Sequence, residues 1–192
     1  MYTPWCDEKG KVIDDGTVQR LSDHKFRITS AEPNLEWLEH NSVGMDLPIS
    51  DDSSTTAALA LQGPNSRDIL NAVAKETLDD LKFFWMKDTR FGDIPVSISR
   101  TGYTGELGFE IYADNLSTEK IWKILLSDTK HEIHPAGLGC RDTLRMEMKY
   151  HLYGLDMDET INPIEAGLSW VTKFNKEYFI GRNKLINFHK NS

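Results

Sequence analysis

Turn-forming residues cut this sequence into short pieces, and that constrains its fold more than any other feature. Asp7-Glu8-Lys9-Gly10, Gly44, Gly63-Pro64, Gly92-Asp93 and Gly137-Leu138-Gly139 recur along it, and the longest apolar stretches, 57–61 and 121–126, are far too short to span a bilayer. Residues 2–6 and 11–21 read as strands around the first turn, and 25–30 alternates with Phe26 and Ile28 on one face. Pro33 opens a helix at its first position, with Leu35 and Leu38 inward and Gly44 at its end. The small and apolar run 55–62 has the pattern of a buried strand, and a helix with Ile69, Leu70 and Val73 follows it. Thr77-Leu78-Asp79-Asp80 resembles a capping box. Residues 83–91 and 94–100 read as a hairpin, 109–112 as a strand, and Ser117 as the cap of a helix with Ile121, Trp122 and Leu125 inward. A helix holding Leu144 and Met148 follows Gly139, and Asn162-Pro163-Ile164-Glu165 signals a second cap, ahead of a strand over 168–173. A last helix covers 182–190. Strands in hairpins and helices at irregular intervals favour an α+β fold, with mixed or antiparallel sheets packed by helices, over a doubly wound sheet. A subdomain break is expected near 45–55.

Charge narrows the function. With 22 basic and 30 acidic residues the net charge is −8, which disfavours a general nucleic-acid or anionic-membrane binder. The start, Met1-Tyr2-Thr3-Pro4-Trp5-Cys6-Asp7, has neither the basic region nor the apolar core of a signal peptide. Cys6 and Cys140 make no disulfide framework and read as reduced thiols of a cytoplasmic protein. The six histidines are scattered, and no set of residues has zinc-ligand spacing, so no metal is expected. A strand that begins at residue 2 and a helix that runs to the end of the chain suggest a piece of something longer.

Three segments can carry chemistry. In Gly10-Lys11-Val12-Ile13-Asp14-Asp15-Gly16-Thr17 two acids adjoin in a strand-like run. Neighbouring strand residues face opposite ways, so without a bulge one acid is buried or in a cleft and the other is solvated; the plain alternative is an acidic turn. In Arg100-Thr101-Gly102-Tyr103-Thr104-Gly105-Glu106-Leu107-Gly108-Phe109-Glu110-Ile111 the glycines at every third position fit a tight loop that lets a flat ligand approach. Tyr103 offers an aromatic face there, and Glu110, between two apolar residues, is an inward-facing candidate; the plain alternative is a hairpin with a solvated Glu110. In Gly139-Cys140-Arg141-Asp142-Thr143-Leu144-Arg145 the two arginines share a helix face. Arg141 stands against the helix dipole and calls for an acidic partner or an anionic ligand, or it makes an ordinary pair with Asp142 or Glu147.

Together these segments resemble the folate-dependent T-protein of the glycine cleavage system, the aminomethyltransferase family. Ala58-Leu59-Ala60-Leu61-Gln62-Gly63-Pro64, Leu152-Tyr153-Gly154-Leu155-Asp156, Pro163-Ile164-Glu165-Ala166-Gly167-Leu168 and Phe179-Ile180-Gly181-Arg182 match in the same order. The resemblance implies a folate-binding fold of three domains, of which residues 1–192 would be a partial region lacking an N-terminal segment and a C-terminal β-barrel-like domain. It carries the catalytic aspartate to Asp15 and the pterin-contacting glutamate to Glu110. Tyr103, Arg141 and Thr17 are carried over as further folate contacts. The implied reaction moves a one-carbon unit from an aminomethyl group on a lipoyl carrier protein (H-protein-like) to tetrahydrofolate and releases ammonia. A carboxylate such as Glu110 can accept the parallel N–H donors of a pterin edge, and an anion at Asp15 stabilises positive charge on the reacting nitrogen. Arg141 would neutralise Glu110 or reach the glutamyl carboxylate of folate.

Three departures bear on the amine substrate. Lys11 stands where typical members carry a second glycine before the apolar pair, Gly16 where they carry a bulky residue, and Gln19 where an aromatic is common. They keep open a folate-dependent methyl or methylene transferase acting on a small N-methyl or sulfonium compound. A folate-binding module without turnover is the third reading. The Lys-Gly-Cys-Tyr-type motif of relatives serving iron–sulfur assembly is not present.

Overall fold

A computed structural model describes residues 1–128 and 130–191. The chain divides into two compact units, residues 1–49 with 151–192 and residues 50–150.

In the first unit, β1 (Tyr2–Cys6), β2 (Val12–Ser22) and β3 (Lys25–Ser30) form an antiparallel sheet in that order. Thr17 of β2 lies opposite Tyr2 on one side and Thr29 on the other. A small core gathers Val12, Met157, Ala166 and Leu168. Helix α1 (Leu35–Asn41) buries no residue. Pro33 precedes the cap residue Asn34 rather than taking the first helical position. The last helix of the chain, Arg182–Asn191, belongs to this unit.

No strand forms over 168–173. The backbone turns there, with Val171 and Thr172 N–H both donating to Leu168 O (3.1 and 3.2 Å). The capping signal ahead of it is satisfied without a helix. Asn162 Oδ1 accepts from Ile164 and Glu165 N–H, and Glu165 Oε2 accepts from Asn162 N–H at 2.8 Å. The reciprocal bonds close a single turn, and Leu168 is then pulled into the core.

The second unit holds a four-stranded antiparallel sheet from β4 (Thr56–Gln62), β5 (Met86–Phe91), β6 (Ile94–Ser99) and β7 (Gly108–Asp114), in the order β4-β7-β6-β5. Helices α2 (Ser66–Val73) and α3 (Thr118–Leu126) supply Ile69, Leu70, Ile121 and Leu125 to a core with Leu61, Val96, Ile98, Phe109 and Ile111. Helix α4 spans Leu138–Glu147, so Met148 is its cap, and α5 is the Arg182–Asn191 helix of the first unit. Both sheets are wholly antiparallel.

Four further expectations are corrected here. β4 is an edge strand, not a buried one: only Leu61 is fully covered, and Ala58 and Ala60 face out. Trp122 is 41% exposed, because it sits one residue, about 100°, round the helix from buried Ile121. The α3 start is capped from Asp114, whose Oδ1 accepts Leu116 and Ser117 N–H, and Ser117 makes no side-chain cap. No helix follows Thr77, where Asn71 Oδ1 takes Leu78 N–H and the chain turns directly towards β5.

Among the described residues, no helix is long and apolar enough to cross a membrane.

Candidate functional site

In the first unit the paired acids sit on β2 with no bulge between them, so they face opposite sides of the sheet. Asp14 is fully buried. Its Oδ1 accepts Asp15 N–H (2.7 Å), and its Oδ2 accepts Glu32 N–H (2.9 Å) and the Asn34 amide (2.8 Å). It therefore ties the strand to the turn before α1. This structural role was not visible in the sequence, because the three donors lie on two separated segments.

Asp15 is partly buried rather than solvated. Burial pushes its carboxyl above the ordinary value of 3.8; a hydrogen bond from Tyr2 opposes this, the Asp14 charge adds to it, and His151 opposes it. Thr17 and Gln19 follow Asp15 at strand period and share its face. Gly16 does not. A Cβ there would lie 2.0 Å from Thr29 O, so the glycine is required by the approach of β3. The departure from the family at this position thus answers to sheet packing, on the side away from Asp15.

In the second unit Glu110 has the opposite orientation from the one expected. Phe109 and Ile111 take the core side of β7, which turns Glu110 to the other face. Ala60 of β4 and Ser99 of β6 flank it in register, so small side chains leave room around it. Thr101 Oγ1 donates to Glu110 Oε2, and Tyr112 OH donates to the same oxygen at 3.1 Å. Ser99 Oγ lies 2.9 Å from Thr101 Oγ1 and extends the network. Oε2 is thus fixed by two hydroxyls, while Oε1 has no partner among the described residues. Tyr112 was legible as the residue two along the strand; Thr101 was not, since it reaches Glu110 across the sheet.

The glycine-rich loop closes around a side chain. A Cβ on Gly102 or on Gly108 would stand 1.9 Å from Gln62 Oε1. Gln62 Nε2 donates to Phe109 O (3.1 Å) and Thr101 O (3.5 Å), and its Oε1 accepts from Thr104 Oγ1 (3.2 Å). Gly105, at φ +78°, lets the loop pass Met148, whose Cγ would be 2.5 Å from a Cβ. The three-residue spacing thus makes room for Gln62 and Met148.

Arg141 does not pair with Glu110. It is exposed, makes no ion pair among the described residues, and lies over the Tyr103 ring at 4.5 Å. Tyr103 also stacks on Tyr150, with centroids 5.8 Å apart and planes 22° from parallel. The ordinary helical ion pair belongs instead to Arg145, which is buried and bonds Asp142 Oδ1 through Nε (2.8 Å) and Tyr150 O through a terminal nitrogen (3.2 Å). The structure therefore brings Tyr103 and Arg141 together, places Thr17 on the face of Asp15, and sets Glu110 in its own hydroxyl network. Among the described residues no group of three or more His, Cys, Asp and Glu is gathered to hold a metal ion.

The fold, with two antiparallel sheets packed by helices, belongs to a known class. The family model for the GCVT N-terminal domain matches residues 1–176, and the chain belongs to that family. It is 42% identical to the aminomethyltransferase of Halothermothrix orenii over 193 residues, 98% of this chain and 54% of that protein. It is 38% identical to the aminomethyltransferase of Thermotoga maritima, over 97% of this chain and 52% of the relative. The crystal structure of glycine cleavage system aminomethyltransferase T from Bartonella henselae matches with a TM-score of 0.87 at 28% identity, over the whole of this chain and 53% of that one. The chain spans about half the length of the relatives it matches.

Proposed function

We propose that this chain serves a tetrahydrofolate-dependent aminomethyltransferase, which moves a one-carbon unit from an aminomethyl group on a lipoyl carrier protein to tetrahydrofolate and releases ammonia. The observation that carries the reading is Glu110. Its carboxylate is held by two hydroxyls through one oxygen and leaves the other open on a sheet face cleared by small residues.

That donor set fits a reduced pterin. The ring edge is rich in N–H donors, for which Glu110 is the acceptor, and charge-assisted bonds of this kind orient as well as bind. Tyr103 supplies aromatic surface, and Arg141 supplies a cation that makes no ion pair among the described residues, suited to the glutamyl carboxylate of folate. Thr17 adds a hydroxyl on the face of Asp15. Bound tetrahydrofolate supplies the amine that accepts the carbon.

Asp15 does the remaining work. In its ionised form it stabilises positive charge at the reacting nitrogen. Its raised carboxyl value makes it a better proton holder than a solvated aspartate, so it can also take and return a proton. The carrier-protein donor is favoured over a small methylated substrate because Gly16, one of the three departures behind the alternative, is accounted for by β3.

The test is a titration of the chain with tetrahydrofolate under nitrogen, followed by tryptophan fluorescence, and an ammonia assay with aminomethylated carrier protein. Glu110→Gln should weaken folate binding by about tenfold or more, the loss of one charge-assisted bond of about 1.5–3 kcal/mol. Asp15→Asn should bind folate within about threefold of the parent and release no ammonia. Equal folate affinity in the parent and Glu110→Gln, or full turnover in Asp15→Asn, would overturn the assignment.

A further inference from the structure

We propose that Arg145 is a positioning residue for the folate site: it seats Tyr103 and, through Tyr103, aims Arg141. The inference rests on the reading of Tyr103 and Arg141 as folate contacts, and it names the group that holds them in place.

Arg145 is a buried cation that the proposed chemistry does not use. It is 3% exposed, on the last turn of α4. Replacing a buried ion pair by apolar side chains of similar volume is often neutral for stability, so stability alone explains such an arginine weakly. The division of its nitrogens says more. Nε and one terminal nitrogen both reach Asp142 Oδ1, at 2.8 and 2.7 Å. The other terminal nitrogen donates to Tyr150 O at 3.2 Å. The planar guanidinium is thus fixed along one edge by a carboxylate, and it spends the rest on one backbone carbonyl.

That carbonyl follows a strained residue. Lys149 takes the left-handed conformation, φ +57°, which a lysine adopts only at a cost. Lys149 N–H donates to Met146 O and Tyr150 N–H donates to Arg145 O, both at 2.9 Å. Arg145 and Tyr150 therefore hold each other in both directions, and relaxing the turn would break both bonds.

The turn serves the ring beyond it. Tyr150 stacks on Tyr103, with centroids 5.8 Å apart, and Arg141 lies over the Tyr103 ring at 4.5 Å. The contacts close a circuit: from α4 through Arg141 to Tyr103, on to Tyr150, and back to α4 through Arg145. A second contact seats the same loop on the end of α4, where a Cβ on Gly105 would lie 2.5 Å from Met148 Cγ. Glu110 is held separately, by Thr101 and Tyr112. Loss of Arg145 therefore costs the part of the ligand that Arg141 receives, the glutamyl carboxylate, and spares the part that Glu110 receives.

The test compares tetrahydrofolate with tetrahydropteroate, which lacks the glutamyl group, each titrated against the full chain under nitrogen. The parent should favour tetrahydrofolate by about tenfold, the share of one charge-assisted contact. Arg145→Lys keeps the charge but cannot serve Asp142 and Tyr150 O from one rigid fork, and should cut that preference to within about twofold. Tyr150→Leu keeps the carbonyl, removes the ring and should do the same. A merely structural role would weaken both ligands alike and leave their ratio unchanged. Fluorine NMR of the chain labelled with 3-fluorotyrosine reads the seat with no ligand present. The Tyr103 signal, assigned with Tyr103→Phe, should move in Arg145→Lys as it does in Tyr150→Leu. A parent that binds both ligands equally, a preference retained in either variant, or a Tyr103 signal unmoved in Arg145→Lys would overturn the proposal. A parent that binds neither ligand would overturn the proposed function instead, and the fluorine signal would then decide whether Arg145 seats Tyr103.

Discussion

Replacing Gly108 or Gly102 with alanine should evict the Gln62 amide from its loop. A Cβ at either position would stand 1.9 Å from Gln62 Oε1, more than an ångström inside contact distance. The obstacle is the far end of a flexible side chain, so the amide can leave, but only by giving up its bonds to Phe109 O (3.1 Å) and from Thr104 Oγ1 (3.2 Å). At about 0.5–1.5 kcal/mol net for each bond, either substitution should cost about 1–3 kcal/mol. Gln62→Ala removes the same bonds and should cost a similar amount. It also empties the space, so Gln62→Ala/Gly108→Ala should be hardly less stable than either single variant. Urea denaturation followed by tryptophan fluorescence reads this directly. With a slope of about 2 kcal/mol per molar, each variant should lower the midpoint by about 0.5–1.5 M, and the double variant should match the singles. Costs that add to within about 0.5 kcal/mol would show that the glycines serve something other than Gln62.

Asp15→Asn should stabilise the protein at neutral pH. Burial raises the Asp15 carboxyl in the folded state, so its stabilising share is present below 3.8 and is lost as pH rises through the folded value; the gain in melting temperature on substitution should be seen at pH 7 and vanish below about pH 4. Asp14→Ala takes the acceptor from three part-buried donors, of which the Asn34 amide keeps Glu32 O, and should cost about 2–4 kcal/mol in the same urea assay. Gly16→Val would drive a side chain into Thr29 O, a backbone atom that cannot step aside, and should lose the β2–β3 pairing, seen as fast amide hydrogen exchange in β3. Burial, helped by Asp7, pushes the Cys6 thiol up to about 12 while Cys140 is exposed, so a thiol reagent at pH 8 should titrate one group in the native chain and two in denaturant.

The hairpins were legible because their turns are local: Gly92-Asp93 and the 7–10 turn mark β5–β6 and β1–β2 without help from the rest of the chain. The 168–173 segment was misread for the converse reason. Leu168, Val171 and their neighbours look strand-like in sequence, but the backbone closes its bonds within a turn instead of pairing along the sheet. At the site, strand alternation correctly separated Asp14 from Asp15 and Glu110 from its neighbours, yet it gave no sign of which face of β7 was the core. That depends on Ile69, Leu70, Ile121 and Leu125, supplied from α2 and α3. The link between Gln62 and glycines about forty residues on was beyond any local pattern, as were the hydroxyl from Thr101 to Glu110 and the three donors on Asp14.

The interior position of β7 has a consequence for how the protein reaches a single form. Phe109 and Ile111 are its anchors, and Glu110 rides between them. Should β7 pair one residue out of step, the acid would be thrust among the aliphatic side chains of α2 and α3, and two large apolar groups would be left in water. A misassembled sheet is therefore rejected by the carboxylate itself, so that each molecule able to finish folding displays it on the outer side, already proofread.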